Sequence, residues 1–302
     1  MSVKVFIDGR AGTTGLQIEE RLRKLPGVTL TEIPEADRKN PEARREFLNA
    51  ADAVFLCLPD EAAKEAVGMI DSKRTVVFDA STAHRTHPDW AYGFPELSRE
   101  HRERILASNR IAVPGCHASG FCAIVYPLIW TGMLSASRTL ACFSLTGYSG
   151  GGKQMIAEYE APGAPKDARP YALSLTHKHL PEMRSVCGLE NPPVFMPVIA
   201  PVRQGMLVSV PLDAPALPLY KTLADWYRDA GHVRVTPFGG EGFLENGRLS
   251  MEAMNGTDGM EIFVFGHDAQ TIVTARFDNL GKGAAGAAAQ CFTLKIKETG
   301  HD

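Results

Sequence analysis

The chain has 302 residues, of which 44% are hydrophobic and 22% are charged. This length is near the upper limit for a single hydrophobic core, and the composition is that of a globular protein, so two domains are expected. The net charge of −3 at pH 7 argues against a nucleic-acid partner, because nucleic-acid-binding proteins usually carry a basic stripe.

The first 80 residues alternate between short apolar runs and amphipathic segments. Apolar runs predict strands, and apolar residues at helical spacing predict helices. In chain order these are a strand at 3–7, a helix at 16–25, a strand at 28–33, a helix at 42–49, a strand at 53–58, a helix at 61–70 and a strand at 75–78. Such alternation is typical of a parallel, doubly wound α/β sheet.

The pattern changes after about residue 115. Strands are predicted there with few helices between them, at 139–147, 194–201, 206–210, 232–237 and 261–266. This part is expected to form an α+β domain with a mostly antiparallel sheet. The end of the chain, 282–297, is again helical in pattern and rich in alanine and glycine.

No segment has the pattern of a membrane-spanning helix or a signal peptide. The longest apolar run, 122–134, is interrupted by Pro127, Thr131 and Gly132, and the first nine residues are too short in apolar length for a signal peptide. The six cysteines form no Cys-x-x-Cys pair, which fits neither a zinc site nor a disulfide framework. We therefore expect a cytoplasmic protein with no membrane partner and no metal.

A glycine-rich turn follows the first predicted strand. Gly9, Gly12 and Gly15 are spaced by three residues around Thr13 and Thr14, and a helix follows. Such a turn lets the backbone approach a pyrophosphate, which the N–H groups at the helix N-terminus then bind. A plain tight turn is the alternative, because the spacing differs from the usual G-x-G-x-x-G. The position inside a βαβ unit favours the dinucleotide site.

The residues that follow the second predicted strand leave the choice between NAD and NADP open. Glu32 is placed to accept a hydrogen bond from a ribose 2′-hydroxyl, which favours NAD. Arg38 and Lys39 are placed to bind a 2′-phosphate, which favours NADP.

Cys116 is the candidate nucleophile. It follows Pro114 and Gly115 and precedes an apolar run, so we expect it at a helix N-terminus, where the helix dipole lowers the pKa of a thiol. Cys122, further along the same run, is expected to point into the core. A buried, inert cysteine is the general alternative for Cys116. The Pro-Gly entry and the polar residues that follow do not suit a core position.

His177 and His179 are the candidates for the base that a cysteine nucleophile needs. Pro181 predicts an extended or irregular backbone before it, on which residues two apart share a face. We assign the acid/base role to His179, because Glu182 provides a carboxylate that can orient its ring. The reverse assignment of the two histidines is the alternative. A metal site is disfavoured, since no third ligand follows at metal spacing.

Several motifs occur in an order that is specific to one family. They are the glycine turn, Phe-Leu-Cys-Leu-Pro-Asp at 55–60, Asp-Ala-Ser-Thr-Ala-His-Arg at 79–85, Tyr-Gly-Phe-Pro-Glu at 92–96, Pro-Gly-Cys at 114–116, Thr-Gly-Tyr-Ser-Gly-Gly-Gly at 146–152, His-Lys-His-Leu-Pro-Glu at 177–182 and Asp-Asn-Leu-Gly-Lys-Gly-Ala-Ala-Gly at 278–286. From end to end, the chain resembles the shorter form of the N-acetyl-γ-glutamyl-phosphate reductase family. That family is related to aspartate-semialdehyde dehydrogenase and, more distantly, to glyceraldehyde-3-phosphate dehydrogenase.

The resemblance implies a Rossmann-like NADP-binding domain at 1–116 and 279–302, and a catalytic and dimerisation domain at 117–278. It favours NADP over NAD. The implied cofactor-binding residues are Gly9, Gly12, Thr13, Thr14, Gly15, Arg38, Leu58, Pro59, Ser81, Gly150, Gly151 and Asn279. The longer members of the family differ in two places: they have a Gly-x-x-Gly-Tyr-x-Gly turn in place of 12–15, and an aromatic residue in place of His117.

The resemblance also implies the reaction. The Cys116 thiolate attacks the acyl phosphate of N-acetylglutamyl phosphate, phosphate leaves, NADPH reduces the thioester to the semialdehyde, and His179 moves the proton. Arg85, Ser119 and Arg203 are the implied substrate ligands, with a surface ion pair as the alternative for Arg203.

Two other functions stay open at this point. One is a sister reductase for aspartyl phosphate or a carrier-bound acyl phosphate, and the other is a catalytically silent nucleotide sensor. The expected assembly is a homodimer or homotetramer, because an open antiparallel sheet is commonly buried against another subunit.

Overall fold

The computed structural model describes residues 2–298. Its contacts divide the chain into two compact units. The first unit comprises the residues up to Pro114 together with those from Ala284 onward, and the second unit comprises Gly115–Gly283. The chain thus leaves the first unit just before Cys116 and returns to it with the last helix.

The described strands are, in chain order, β1 (Val3–Asp8), β2 (Val28–Thr31), β3 (Ala53–Leu56), β4 (Val76–Asp79), β5 (Ala91–Tyr92), β6 (Arg110–Ala112), β7 (Ala141–Gly147), β8 (Arg169–Pro170), β9 (Val194–Ala200), β10 (Met206–Leu212), β11 (Val233–Val235), β12 (Met260–Gly266) and β13 (Thr271–Phe277). The described helices are α1 (Thr13–Leu22), α2 (Pro41–Ala50), α3 (Asp60–Gly68), α4 (Arg99–Ala107), α5 (Cys116–Trp130), α6 (Gly152–Glu160), α7 (Leu180–Cys187), α8 (Ala216–Trp226) and α9 (Gly286–Glu298). All seven elements predicted for the first 80 residues are present within a few residues of their expected bounds.

The first unit contains a six-stranded sheet in the order β2-β1-β3-β4-β6-β5. Every neighbouring pair is parallel, as the alternating pattern predicts. Helices α1, α4 and α9 cover one face of the sheet through residues such as Ile18, Ile105 and Phe292. Helices α2 and α3 cover the other face through Leu48 and Ala63. The strands are therefore buried on both sides, which explains their continuous apolar runs.

The sequence did not predict helix α4 or strands β5 and β6. Helix α4 is very polar, with Ile105 as its buried residue, so its sequence shows no repeat of apolar residues at helical spacing. Its start is fixed by Ser98, whose hydroxyl accepts a hydrogen bond from the His101 backbone N–H at 3.2 Å. Strand β5 is two residues long and carries almost no periodic signal.

The second unit contains a seven-stranded sheet in the order β11-β12-β13-β10-β7-β9-β8. Its neighbours are antiparallel except for the pairs β7–β9 and β11–β12, so the prediction of a mostly antiparallel sheet is confirmed. Strand β13 and helix α8 were not predicted. Pro215 and Pro218 lie at the start of α8, and prolines in a sequence usually argue against a helix. The helix forms nevertheless, because prolines are tolerated at a helix N-terminus.

Helix α5 packs against β10 and β13 of this sheet and is buried along nearly its whole length. The closest approach is at Gly120, where an added Cβ would lie 2.6 Å from Val208 Cγ2 and 2.9 Å from Phe277 Cε1. Only glycine lets the helix backbone come this near the strands. Within residues 2–298, no helix has the length and apolar character needed to cross a membrane.

We predict that Gly120→Ala destabilises the second unit by about 1–3 kcal/mol, because the new methyl group overpacks a rigid contact. Gly231→Ala is the matched control in the same unit, since no atom lies within 4 Å of its added Cβ and its φ is not positive. The midpoint of denaturant unfolding measures both effects. An unchanged midpoint for Gly120→Ala would show that α5 moves away from the sheet at little cost.

Candidate active site

Cys116 is the first residue of α5, which confirms its predicted place at a helix N-terminus. The N-cap is Gly115, which has an extended conformation (φ −77°, ψ 144°) and no side chain to satisfy the N–H groups of the first turn. The Gly115 N–H donates to the buried Glu182 carboxylate at 2.8 Å. Cys116 is half-buried, and the N–H groups of this first helical turn, which no N-cap side chain binds, favour negative charge on its sulfur.

The other cysteines are in unreactive surroundings. Burial, with the negative charges of Asp79 and Asp8, raises the pKa of the Cys57 thiol to about 12. Burial also raises the pKa of Cys142. Cys122 lies inside α5 with no exposed surface, as predicted. Because the thiolate is the nucleophile, this comparison favours Cys116 as the reactive thiol.

His177 and His179 lie on irregular backbone directly before α7, with ring centroids 4.7 Å apart. The His179 backbone N–H donates to His177 Nδ1 at 3.1 Å, which fixes the two residues relative to each other. The inference from Pro181 was partly wrong: Leu180 precedes that proline and is nevertheless helical. Helix α7 begins at Leu180, because a proline in the first helical turn loses no hydrogen bond.

The sequence did not single out His117, except as a departure from the longer family members. Its ring centroid lies 5.5 Å from that of His179 and 5.4 Å from that of His177. His117 Nδ1 is 2.8 Å from Ser144 Oγ, and His117 Nε2 is 2.8 Å from Tyr171 Oη. Burial, with the nearby His177 and Lys178, lowers the pKa of His117 to about 3. The imidazole is therefore neutral at ordinary pH.

The glycine turn of the first unit has the backbone that its sequence predicts. Gly9 has φ +82°, and a Cβ there would lie 2.3 Å from the Cys57 carbonyl oxygen, so only glycine fits. Helix α1 begins at Thr13 after the extended N-cap Gly12, and no side chain caps it. Thr13, Thr14 and Gly15 therefore present their N–H groups for an anion, which suits a dinucleotide pyrophosphate.

A cavity of about 190 Å³ adjoins this turn and includes Leu58, Glu32 and Arg38 in its lining. Glu32 pairs with Arg10 at 2.5 Å, whereas Arg38 pairs only at the surface with Glu35 at 3.1 Å. Glu32 and Arg38, the two alternatives for the ribose, therefore both line one cavity, whereas Lys39 does not. The size of the cavity and its position at the end of β2 suit the ribose of a dinucleotide.

Two other predicted cofactor residues lie on the loops after β3 and β4. Pro59 is the N-cap of α3. The Ser81 hydroxyl donates to the buried Asp79 carboxylate at 2.7 Å. Asp79 also binds His84 Nδ1 at 2.6 Å. These loops follow the carboxyl ends of parallel strands, where open α/β sheets bind ligands.

Gly150, Gly151 and Asn279 come together in the second unit. The two glycines form a 3₁₀ turn after β7, and a Cβ on Gly150 would lie 3.5 Å from Asn279 Nδ2. The buried Asn279 amide donates to Ser149 Oγ at 3.0 Å and accepts from the Gly205 N–H at 3.0 Å. This side chain therefore holds the glycine turn in place, whatever else it binds.

The three predicted substrate ligands have different surroundings. Arg85 donates to the Val113 carbonyl at 2.9 Å and to the Ala80 carbonyl at 3.1 Å, so its guanidinium is oriented by backbone. Ser119 is fully buried, and its hydroxyl donates to the Gly115 carbonyl at 3.1 Å, which favours a structural role. Arg203 forms a 2.7 Å ion pair with Glu160 at the surface, which is the alternative given for it.

Among the described residues, no group of three or more His, Cys, Asp or Glu side chains is arranged to hold a metal ion.

Comparison with known proteins identifies two domains. Residues 4–105 match the family model of the semialdehyde dehydrogenase NAD binding domain. Residues 116–279 match the semialdehyde dehydrogenase dimerisation domain. The first match assigns a nicotinamide dinucleotide to the unit that contains the glycine turn.

Solved structures share the fold. Aspartate semialdehyde dehydrogenase II of Vibrio cholerae superposes with a TM-score of 0.73 at 17% identity, covering 99% of each chain. A probable aspartate-semialdehyde dehydrogenase of Pseudomonas aeruginosa has a TM-score of 0.74 at 15% identity, covering 99% of this chain and 100% of that one. At such low identity, this likeness shows the fold alone, and it confirms the predicted fold class.

Closer relatives share the sequence along its whole length. N-acetyl-γ-glutamyl-phosphate reductase 2 of Pseudomonas putida is 44% identical over 303 residues, covering 97% of this chain and 96% of the relative. The N-acetyl-γ-glutamyl-phosphate reductase of Chelativorans sp. is 44% identical over 310 residues, covering 98% and 99%. The chain therefore belongs to the N-acetyl-γ-glutamyl-phosphate reductase family and has the fold of the semialdehyde dehydrogenases.

Proposed function

We propose that the protein is an NADP-dependent N-acetyl-γ-glutamyl-phosphate reductase, which forms N-acetylglutamate 5-semialdehyde in arginine biosynthesis. The observation that carries this proposal is the position of Cys116 at the uncapped N-terminus of α5, in the same unit as the imidazoles of His117, His177 and His179. A cysteine nucleophile and a neighbouring base are the groups that acyl transfer from a phosphate requires. The proposed substrate comes from the names of the full-length relatives, which are N-acetyl-γ-glutamyl-phosphate reductases.

Cys116 takes the acyl group in the first step. Its thiolate attacks the acyl carbon, a C–S bond forms, the bond from that carbon to the phosphate oxygen breaks, and phosphate leaves with the electron pair. NADPH, when bound, supplies the hydride that reduces the thioester. The thiohemiacetal oxygen takes a proton as the hydride adds and gives it back as the C–S bond breaks, which releases the aldehyde and restores the thiolate.

His179 is the proposed acid/base for the proton on that oxygen. It is 4% exposed, and its position is fixed by the start of α7 and by the hydrogen bond from its N–H to His177. A buried ring in a fixed position suits proton transfer at one atom. His177 is half-buried and is proposed to contact the acyl substrate.

The cofactor is proposed to be NADP. The N–H groups of Thr13, Thr14 and Gly15 would hold the pyrophosphate, and Arg38 would hold the 2′-phosphate. Glu32 is compatible with this assignment because Arg10 already neutralises its charge.

The other predicted ligands are divided between the cofactor and the substrate. Gly150, Gly151 and Asn279 are proposed to approach the nicotinamide, and Leu58, Pro59 and Ser81 to line the cofactor site. Arg85 is the proposed ligand for the substrate carboxylate, because its guanidinium is already oriented. Ser119 and Arg203 are weaker candidates, given their bonds within the protein.

A homodimer or homotetramer is the proposed assembly. The sheet face opposite α5 exposes a group of large apolar side chains, which are Phe143, Val194, Met196 and Ile272, each at 37–50% exposure. A contiguous apolar face of this kind is typical of a subunit interface. The cytoplasm is the proposed location, since the six cysteines lie within residues 2–298 and form no disulfide there.

We predict that the purified protein reduces NADP in a phosphate-dependent assay with N-acetylglutamate semialdehyde, and does so at least tenfold less well with aspartate semialdehyde, because the acyl pocket and not the thiol chemistry separates these substrates. Preference for aspartate semialdehyde would make it a sister reductase. Inactivity with both substrates would favour a nucleotide sensor.

Cys116→Ser is the matched control for this assay. A hydroxyl lacks the acidity and nucleophilicity of a thiol, so turnover should fall below a few per cent while NADPH binding is kept. Iodoacetamide should label Cys116 before Cys122 in the wild type. Labelling of Cys122 first would remove Cys116 from the nucleophile role.

We predict that Arg38→Ala weakens NADPH binding about tenfold or more and leaves NADH binding nearly unchanged, because only NADPH carries the 2′-phosphate. Cofactor titration by fluorescence measures both affinities. Arg45→Ala is the matched control, since Arg45 is an exposed arginine of the same unit that pairs with Asp71 and does not line the cavity. Equal losses for both cofactors in Arg38→Ala would move the 2′-phosphate contact to Lys39 or Arg10.

We predict that His179→Asn lowers kcat/KM for semialdehyde oxidation about a hundredfold. In this direction His179 must be neutral to accept the proton, so the variant should lack the acidic limb of the wild-type pH profile. His177→Asn should mainly raise KM for the acyl substrate. The exposed His232 provides a control, His232→Asn, that should change neither. The reverse pattern would exchange the roles of His177 and His179.

A further inference from the structure

Beside Cys116, three buried or half-buried polar groups form a continuous hydrogen-bonded row. Ser144 on β7 is fully buried, His117 is 2% exposed, and Tyr171 is half-buried. The row runs from Ser144 Oγ to His117 Nδ1, and from His117 Nε2 to Tyr171 Oη, with both distances 2.8 Å. None of the steps assigned to Cys116, His177 and His179 uses this row, although His117 is the residue next to Cys116.

A neutral imidazole makes this row directional. Since the pKa of His117 is lowered to about 3, mainly by burial, the ring carries one N–H and one lone pair at ordinary pH. If Nε2 holds the hydrogen, it donates to Tyr171 Oη, and Nδ1 accepts from the Ser144 hydroxyl. The Tyr171 O–H is then free to donate elsewhere. If Nδ1 holds the hydrogen, Nε2 accepts a hydrogen bond from the Tyr171 O–H, which then cannot donate to another group.

A negative charge on the Cys116 sulfur favours one of these two hydrogen-bond directions. Tyr171 Oη lies 2.8 Å from Nε2 of His117, the residue next to Cys116. Burial first, and then charge on Cys116, raises the pKa of Tyr171. The tyrosine therefore stays protonated and able to donate. A thiolate attracts the O–H hydrogen and repels the oxygen lone pairs, which favours the direction in which His117 donates to Tyr171.

We propose that His117, held by Ser144, is a positioning residue that turns the Tyr171 hydroxyl so that it donates its hydrogen to the Cys116 thiolate. This inference rests on the proposed role of Cys116 as nucleophile. This hydrogen bond stabilises the charged sulfur before the sulfur attacks. The hydrogen bond is lost when the sulfur is acylated and loses its charge. Tyr171 is then the group that touches the reacting atom, and His117 acts through it.

Other charged or titratable groups near the sulfur must be held constant in any test. His177, Lys178 and His179 lie on the segment before α7, and Glu182 on α7 binds the Gly115 N–H. On the turn that precedes α9, a Cβ on Gly283 would lie 3.0 Å from Cys116 Cβ, and Lys282 is its neighbour in the chain. The test below therefore leaves all of these residues unchanged.

The test measures the thiol pKa of Cys116 directly. The rate of Cys116 alkylation by iodoacetamide, followed by mass spectrometry of its peptide, is recorded against pH for the full-length wild type and for Tyr171→Phe. Loss of a hydrogen bond to the charged sulfur should move the midpoint upward by about one pH unit, which slows alkylation near neutral pH about tenfold. An unchanged or lowered midpoint would overturn the proposal.

Two variants of His117 separate positioning from packing. His117→Phe removes the donor to Tyr171 and should raise the midpoint as much as Tyr171→Phe does, and the double variant should add nothing further. His117→Gln keeps an N–H near the position of Nε2 and should restore most of the wild-type midpoint. Equal effects of Phe and Gln at 117, or additive single effects, would refute the role of His117. If His117→Phe fails to fold, the Tyr171→Phe and His117→Gln results decide.

Tyr227→Phe is the matched control. Tyr227 is 3% exposed in the same unit, and its hydroxyl donates to the Ala123 carbonyl at 2.7 Å, so this variant loses a buried tyrosine hydrogen bond away from the sulfur. It should leave the alkylation midpoint unchanged. An equal shift in this control would mean that general loosening explains the Tyr171 result and would overturn the proposal. Reductase activity of the wild type is measured on the same preparations. A shifted midpoint in Tyr171→Phe, together with no reductase activity in the wild type, removes the proposed function and leaves this inference standing.

Discussion

The packing of α5 against the second sheet is the constraint on which the candidate site depends. The helix is buried along nearly its whole length, and at Gly120 its backbone comes so near Val208 and Phe277 that only glycine fits. Its N-terminus is tied in turn to α7 through the Gly115 N–H and Glu182. Since Cys116 is the first residue of α5 and His179 precedes α7, one packed helix and one buried carboxylate together fix the proposed nucleophile and its proposed base.

Helices α1 and α5 begin in the same way. Both α1 and α5 have an extended glycine as N-cap, Gly12 and Gly115, and neither has a side-chain cap or an acidic residue in its first turn. Most helices satisfy these N–H groups with a serine, threonine or aspartate, as Ser98 does for α4. Leaving them open makes each N-terminus a place for negative charge. In the first unit the proposed negative charge is the pyrophosphate of the cofactor, and in the second unit it is the proposed thiolate of Cys116.

The three imidazoles near Cys116 differ in burial, and burial separates what they can do. His117 is 2% exposed with both ring nitrogens bound, so it stays neutral and holds a fixed orientation. His179 is 4% exposed and fixed through its backbone, and His177 is half-buried. A ring with both nitrogens engaged is suited to orient a neighbour, whereas a ring nearer the substrate is suited to carry a proton. Residue type alone does not distinguish these cases.

Local patterns in the sequence determined the parallel sheet, the glycine turn and the place of Cys116 at a helix start, because each depends on the periodicity or backbone freedom of neighbouring residues. Helices α4 and α8 were missed, since one is almost entirely polar and the other begins with prolines. The surroundings of the site residues were decided by tertiary structure. Ser144 and Tyr171 lie 27 and 54 residues from His117, Ser149 lies 130 residues from Asn279, and Glu160 lies 43 residues from Arg203. No local pattern records such pairings, because they exist only once the sheet and helices have packed and water has been excluded around them.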